Sequence, residues 1–218
     1  MFGYTSVPVL AIQPSLFDPT ILPAGPDGRS STGPLRRRDL GSGAWVEHCP
    51  AWLPGTALLD VLLGAVPWRA ERRVMYERVV EVPRLLAFYS EGEELPDRRL
   101  EEARDALDDR YGEELGEPFA TAGLCLYRDG RDSVAWHGDT VGRGAREDTV
   151  VAIVSFGATR RLLLRPVGGG PSLRFELADG DLLVMGGSCQ RTWQHAVPKT
   201  TSVLGPRSSV QFRPRGVR

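Results

Sequence analysis

On either side of Pro118 the hydrophobic residues follow different periods. Before it, Leu100, Ala103, Leu107 and Tyr111 recur at helical spacing on an otherwise charged segment. That spacing predicts a solvated amphipathic helix over residues 95–115, with Asp97 as its N-cap. A shorter apolar stretch, Gly55–Leu63, reads as a second helix. Val74–Val82 reads as a strand broken by Pro83, with the apolar LLAFY following, and Trp45–His48 reads as a short strand. After Pro118 the pattern shortens to strands: Thr121–Arg128, Ser133–His137, Thr149–Phe156, Arg161–Pro166, Ser172–Leu177, Asp181–Met185 and Ser208–Arg213. The Asp-Gly pair within Asp129–Asp132 signals a hairpin between the first two. Gly-rich turns separate the others, and Thr149–Phe156 is nearly continuously apolar and β-branched, as in a buried strand.

Helices that precede the strands, rather than alternate with them, favour an α+β fold over a parallel doubly wound sheet. Short strands at regular spacing point to a sandwich or barrel, here a double-stranded β-helix (jelly-roll) core over residues 121–218. Residues 44–120 form its N-terminal extension within one domain, 44–218. Residues 1–43, rich in Pro, Gly and Ser with a basic run at Arg36–Arg38, read as an extended arm.

Composition narrows the function classes. The 218 residues carry a net charge of −1, so nothing global argues for a polyanion partner, and a nucleic-acid site must be a local patch. Lys199 is the only lysine; the positive charge is arginine, concentrated before the core at Arg69, Arg72, Arg73, Arg78 and Arg84. Cys49, Cys125 and Cys189 are scattered, which argues against a disulfide framework or a cysteine zinc site. No apolar run approaches the roughly 20 residues of a membrane span. The N-terminal stretch lacks the features of a secretory signal, so a cytoplasmic, monomeric protein without an obligate protein partner is expected.

The chemistry converges on the stretch Leu124–Thr140. His137 and Asp139 stand two apart after a strand-like run, which puts both side chains on one face. The chain has three histidines, so the third member of a metal site is His48 or His195. In a jelly roll, strands distant in sequence lie opposite one another, and His195 follows a strand-like segment in this way. Two imidazoles and one carboxylate leave open positions on a metal, the facial triad of non-haem iron(II) oxygenases. Trp136, by alternation, points away from His137 into core. Arg207 and Arg213 are an even number of residues apart on the last strand, so both can face the interior. There they need an anion, either a chelating dicarboxylic acid or a core Asp such as Asp139 or Asp181.

The segments LCLYRDGRDSVAWHGD, VSFGATRRLLLRP, GDLLVMGGSCQRTWQHAVPK and PRSSVQFR resemble the AlkB family of Fe(II)- and 2-oxoglutarate-dependent dioxygenases, over about Val82–Arg213. The resemblance implies His137, Asp139 and His195 as iron ligands and Arg207 on the distal carboxylate of 2-oxoglutarate. It places Arg213 nearby and Tyr127 against the co-substrate. It implies oxidative demethylation of N-alkylated nucleobases in DNA or RNA, with O2 consumed and formaldehyde, CO2 and succinate released. Phe88, Tyr89 and Arg84 fall where the family carries substrate-binding residues, in a lid before the core. The chain departs from the family pattern twice. Cys125 stands where an Asn is usual, and Val141 where repair members often carry an acid, with Glu147 and Asp148 as nearby substitutes. These departures leave room for the same oxygenase chemistry on a protein side chain or a small metabolite. A non-catalytic jelly-roll binding module is the third possibility.

Overall fold

The apolar run after Thr149 becomes a strand in the interior of a large sheet, as its lack of a polar face requires. The structure is a computed structural model that describes residues 37–53, 57–75, 78–202 and 205–217. Along the chain run β1 (Arg38–Gly41), β2 (Ala44–Cys49), α1 (Leu58–Ala65), β3 (Arg69–Met75), β4 (Arg78–Tyr89) and α2 (Arg98–Leu115). There follow β5 (Thr121–Tyr127), β6 (Val134–His137), β7 (Val151–Gly157), β8 (Arg160–Pro166), β9 (Leu173–Leu177) and β10 (Leu182–Gly187). A single turn, α3 (Cys189–Thr192), leads into β11 (Trp193–Val197), and β12 (Arg207–Arg213) comes last. An eight-stranded sheet, ordered β1-β2-β10-β7-β12-β5-β4-β3, faces a four-stranded one, β6-β11-β8-β9. Every pairing is antiparallel, in the expected jelly-roll arrangement.

The core lies between the sheets. Val46, Val151, Ile153, Leu183 and Met185 of the large sheet meet Leu162, Leu164 and Leu177 of the small one. The outer face of the large sheet is covered by α2, which buries Leu100, Ala103, Leu107 and Tyr111, the residues its periodicity picked out. Asp97 caps α2 by accepting from the Arg99 amide at 2.9 Å, and Gly116 ends it in the left-handed conformation. Tyr111 stacks on Trp45 with ring centroids 6.0 Å apart, and its hydroxyl donates to the buried Glu47 carboxylate at 2.7 Å. Arg110 and Arg37 supply the other donors, so that buried charge is fully answered.

Three boundaries differ from the sequence expectation. The arm's residues 1–36 lie outside the described residues, but Arg38–Gly41 form β1, an edge strand folded onto β2. Pro83 does not end its strand. Between the pairs Ala70↔Leu85 and Arg72↔Glu81, only Glu71 of β3 stands against Val82, Pro83 and Arg84 of β4. Pro83 therefore sits in a bulge, where its missing N–H interrupts no ladder bond. Nor do β5 and β6 form a hairpin: they belong to different sheets. The Asp-Gly turn is real, with Asp129 accepting from the Arg131 amide and Asp132 from the Arg128 amide. It serves to carry the chain from the large sheet to the small one.

Candidate metal and co-substrate site

Strand register builds the centre of the site. In the β6–β11 pairing His137 lies directly opposite His195, and the two ring centroids are 4.2 Å apart. Asp139 follows β6 at once, and ligand atoms of all three residues lie within 4.8 Å of one another. His137 Nδ1 is 2.9 Å from the Ala135 carbonyl, which can only accept, so the proton sits on Nδ1 and Nε2 offers its lone pair. Burial pulls both imidazoles below their ordinary pKa, His195 to about 3. Both are neutral near pH 7, as metal ligands must be. His48, the alternative, instead bonds Asp181 at 3.3 Å on β2.

The carboxylate is held from the large sheet. Burial alone would raise the Asp139 pKa, but the Arg213 guanidinium and the two imidazoles hold it at about 2. Arg213 Nε donates to Asp139 Oδ2 at 2.6 Å, leaving Oδ1 on the histidine side, 4.0 Å from His137 Nε2. This realises the alternative in which one of the two arginines answers a core Asp. Gly123 makes room for the contact, since a Cβ there would stand 2.8 Å from Arg213 Nη1. Gly138 is the spacer between His137 and Asp139 for a similar reason: its Cβ would fall 2.3 Å from the Gln190 carbonyl. The Gln190 side chain in turn accepts from the Asp139 amide at 2.9 Å, so α3 fixes the ligand loop.

Arg207 is the second cation of β12, 2% exposed, and it faces inward as its even spacing from Arg213 requires. Its Nη2 donates to Ser155 Oγ at 2.8 Å, while Nε and Nη1 are buried without a partner. Burial pulls its pKa below the ordinary value, with Tyr127 partly offsetting. Unanswered guanidinium donors in a dry site are expensive unless an anion completes them. Tyr127 lies opposite Arg207 in the β5–β12 register, with the guanidinium carbon 5.1 Å from its ring centroid. This half of the site fits one carboxylate of a dicarboxylic acid. Cys125, on the same face, bonds Gln211 through its thiol at 3.6 Å.

At the rim the structure separates residues that sequence placed together. In the β4–β5 register Phe88 pairs with Gly123, so it shares the interior face with Cys125 and Tyr127, and it is 43% exposed. Tyr89 pairs with Ala122 and points to the opposite face, which corrects its placement among the substrate-binding candidates. Arg84 turns toward the site and donates through Nη1 to the Ser133 carbonyl at 3.3 Å. Trp136 is not core. It lies half-buried on the outer face of the small sheet, with the Arg165 guanidinium 4.0 Å above its ring. Val141 is 64% exposed. Glu147 pairs with Arg143 and Asp148 with Arg191, so neither candidate substitute for an acid at Val141 is unpaired.

Sequence reasoning missed Arg160. This buried arginine donates to the carbonyls of Asp129, Asp132 and Pro198 at 2.8–3.0 Å. It locks the turn between the sheets and stands 5.4 Å from the Tyr127 ring centroid. Ser155, the hydroxyl partner of Arg207, was missed as well; both needed the sheet pairing to be seen.

Comparison with known proteins agrees with this donor set. The family model described as the 2OG-Fe(II) oxygenase superfamily matches residues 56–213. The human alpha-ketoglutarate-dependent dioxygenase alkB homolog 3 is 32% identical over 183 residues, 73% of this chain, which spans 63% of that relative's length. The bovine DNA oxidative demethylase ALKBH2 is 34% identical over 117 residues, 50% of this chain and 42% of its own. Among solved structures, that of OsALKBH1 superposes with a TM-score of 0.53 at 13% identity, covering 83% of this chain and all of that one, a likeness of fold. The domain that brings His137, Asp139 and His195 together beneath Arg207 therefore belongs to the 2OG-Fe(II) oxygenase superfamily, within its AlkB family, whose chemistry uses Fe(II), 2-oxoglutarate and O2.

Proposed function

We propose that this protein demethylates N-alkylated nucleobases in DNA or RNA by Fe(II)- and 2-oxoglutarate-dependent oxidation. The observation that carries the reading is the pairing of a His-Asp-His cluster with a buried, incompletely bonded Arg207 on the facing sheet. The names of the relatives, a DNA oxidative demethylase among them, support the substrate class. His137, Asp139 and His195 would hold an Fe(II) ion, which would supply the redox chemistry that couples O2 to the oxidation of 2-oxoglutarate. One oxygen atom goes to succinate as 2-oxoglutarate loses CO2, and the other goes to the methyl carbon. The resulting N–CH2OH group releases formaldehyde and restores the N–H.

The protein's own residues position the reactants. Arg207, with Nε and Nη1 unpartnered and Tyr127 alongside, would take the distal carboxylate of 2-oxoglutarate. Arg213 keeps Asp139 ionised and turned toward the imidazoles. The base must leave its stack to reach the metal, and the exposed Phe88 offers it a stacking surface. β4 pairs with β5 only over Leu85–Tyr89, so the remainder of the β3–β4 ribbon extends past the sheet. That ribbon carries the exposed Arg72, paired with Glu81 across the two strands, as its candidate phosphate contact. The three unpaired cysteines suit a monomer in a reducing, cytoplasmic setting.

The test is a demethylase screen over singly methylated oligonucleotides with Fe(II), 2-oxoglutarate and ascorbate. Stoichiometric formaldehyde and succinate are expected. Succinate without demethylation of any oligonucleotide would transfer the same chemistry to a protein or metabolite substrate. Failure of anaerobic Fe(II) and 2-oxoglutarate to give a charge-transfer band, with Arg207→Ala unchanged, would leave only a binding module.

A further inference from the structure

The charges around the mouth of the site are unbalanced in one direction. Arg213 is answered by Asp139, and Arg207 by Ser155 and, in the reading above, by the carboxylate of 2-oxoglutarate. Arg84 meets only the Cys125 thiol and a backbone carbonyl, with no carboxylate. It leaves the β4 bulge beside Pro83, whose carbonyl accepts from the Ser133 amide at 2.8 Å. That bond fastens it four residues before His137. Its Nη1 reaches the Ser133 carbonyl, and its Nε is buried without a partner. Among the described residues no carboxylate lies within ion-pairing distance of Arg84; its charge is felt by Cys125, Tyr127, His137 and His195, and Glu71 acts on it only at longer range.

The acids of the neighbouring loops are already engaged. Arg143 takes both Glu117 and Glu147, Arg191 takes Asp148, and Arg215 takes Glu91. Directly after Asp139, the exposed Thr140 and Val141 bring no charge. A base entering here meets an incompletely bonded guanidinium and an apolar edge.

We propose that Arg84 and Val141 make this site selective for neutral methylated bases that carry a carbonyl beside the methylated nitrogen, over cationic methylated bases. The inference rests on the nucleobase reading above. N3-methylthymine and N1-methylguanine are neutral, and each presents a carbonyl oxygen next to the methyl-bearing nitrogen, an acceptor for a guanidinium N–H. N1-methyladenine is a cation whose flanking exocyclic group is a donor, so both its charge and its hydrogen-bond polarity oppose Arg84. Two like charges about 6 Å apart, at the effective dielectric of a half-buried site, lower occupancy by roughly a hundredfold, and screening leaves roughly tenfold.

The experiment compares single-stranded oligonucleotides of one sequence carrying either N3-methylthymine or N1-methyladenine, with the full chain, Fe(II) and 2-oxoglutarate. The neutral base should be demethylated at least about tenfold faster, and fluorescence anisotropy without iron should show tighter binding in the same order. Val141→Asp should raise the rate on N1-methyladenine about tenfold, and Arg84→Gln should narrow the gap; Arg84→Lys, which keeps the charge, should preserve discrimination against the cation. Equal rates, or a faster N1-methyladenine reaction, overturn the selectivity while leaving the demethylase reading intact. Succinate formation with neither base demethylated overturns both.

Discussion

Arg213 Nε and Asp139 Oδ2 stand 2.6 Å apart, a bond that joins the last strand of the large sheet to the ligand loop of the small one. Removing it frees the carboxylate to rotate and leaves it buried without its main counter-charge. Arg213→Ala should weaken divalent-metal binding by about 10–100-fold, read by calorimetric titration with Co(II) or Mn(II). An unchanged affinity would mean that the imidazoles and Gln190 orient Asp139 unaided.

Gly123→Val tests the same contact without touching either partner. The added side chain meets only side-chain ends, Arg213 Nη1 first and Gln211 Oε1 next, so the thermal midpoint should stay within a few degrees while metal affinity falls as in Arg213→Ala. Gly138→Ala meets backbone instead, at the Gln190 carbonyl, and should destabilise the fold by about 1–3 kcal/mol in urea titration as well as abolishing the metal site.

Arg207 sets function against stability. Arg207→Met removes a buried charge with two unanswered donors, so the variant without co-substrate should be as stable as the wild type or more so, by about 1–4 kcal/mol. Addition of 2-oxoglutarate should raise the wild-type melting temperature and leave that of the variant unmoved. Equal shifts in both would place the dicarboxylate elsewhere.

Asp181 gives a pH dependence away from the metal. Burial raises its pKa, but the His48 ring and the amides of Ala178 and Ala51 outweigh this, and the folded value lies below the ordinary one. A depressed carboxylate pKa stabilises the fold above the unfolded-state value, near pH 4, and that contribution is lost as pH falls through the folded one. Urea titrations from pH 6 down to pH 3 should therefore lose stability, and Asp181→Asn should flatten that slope.

Local signals carried the fold class and the centre of the site. The apolar run of β7, the helical period of α2 and the even spacing of Arg207 and Arg213 are each short-range patterns with a single geometric reading. What failed depended on partners far along the chain. An Asp-Gly turn looks the same whether it closes a hairpin or carries a strand into another sheet. Pro83 breaks a ladder only if its nitrogen faces one, and the bulge was set by pairing with β3. Trp136 points away from His137 as alternation requires, yet the far side of a four-stranded sheet is solvent, shared here with Arg165. The family resemblance places Tyr89 with Phe88, but neighbours on a strand point to opposite faces, and the β4–β5 register gives only Phe88 the interior one.

The turn locked by Arg160 carries the chain across the gap between the sheets, and His137 and Asp139 lie just beyond it. His137 and His195 belong to the small sheet, while Asp139 is tethered through Arg213 to the large one. An ion held by all three would rivet one layer of the sandwich to the other. Iron loss would then do more than stop turnover: it would unfasten the mouth of the sandwich, and protease nicking near residues 138–148 should report how loaded the protein is.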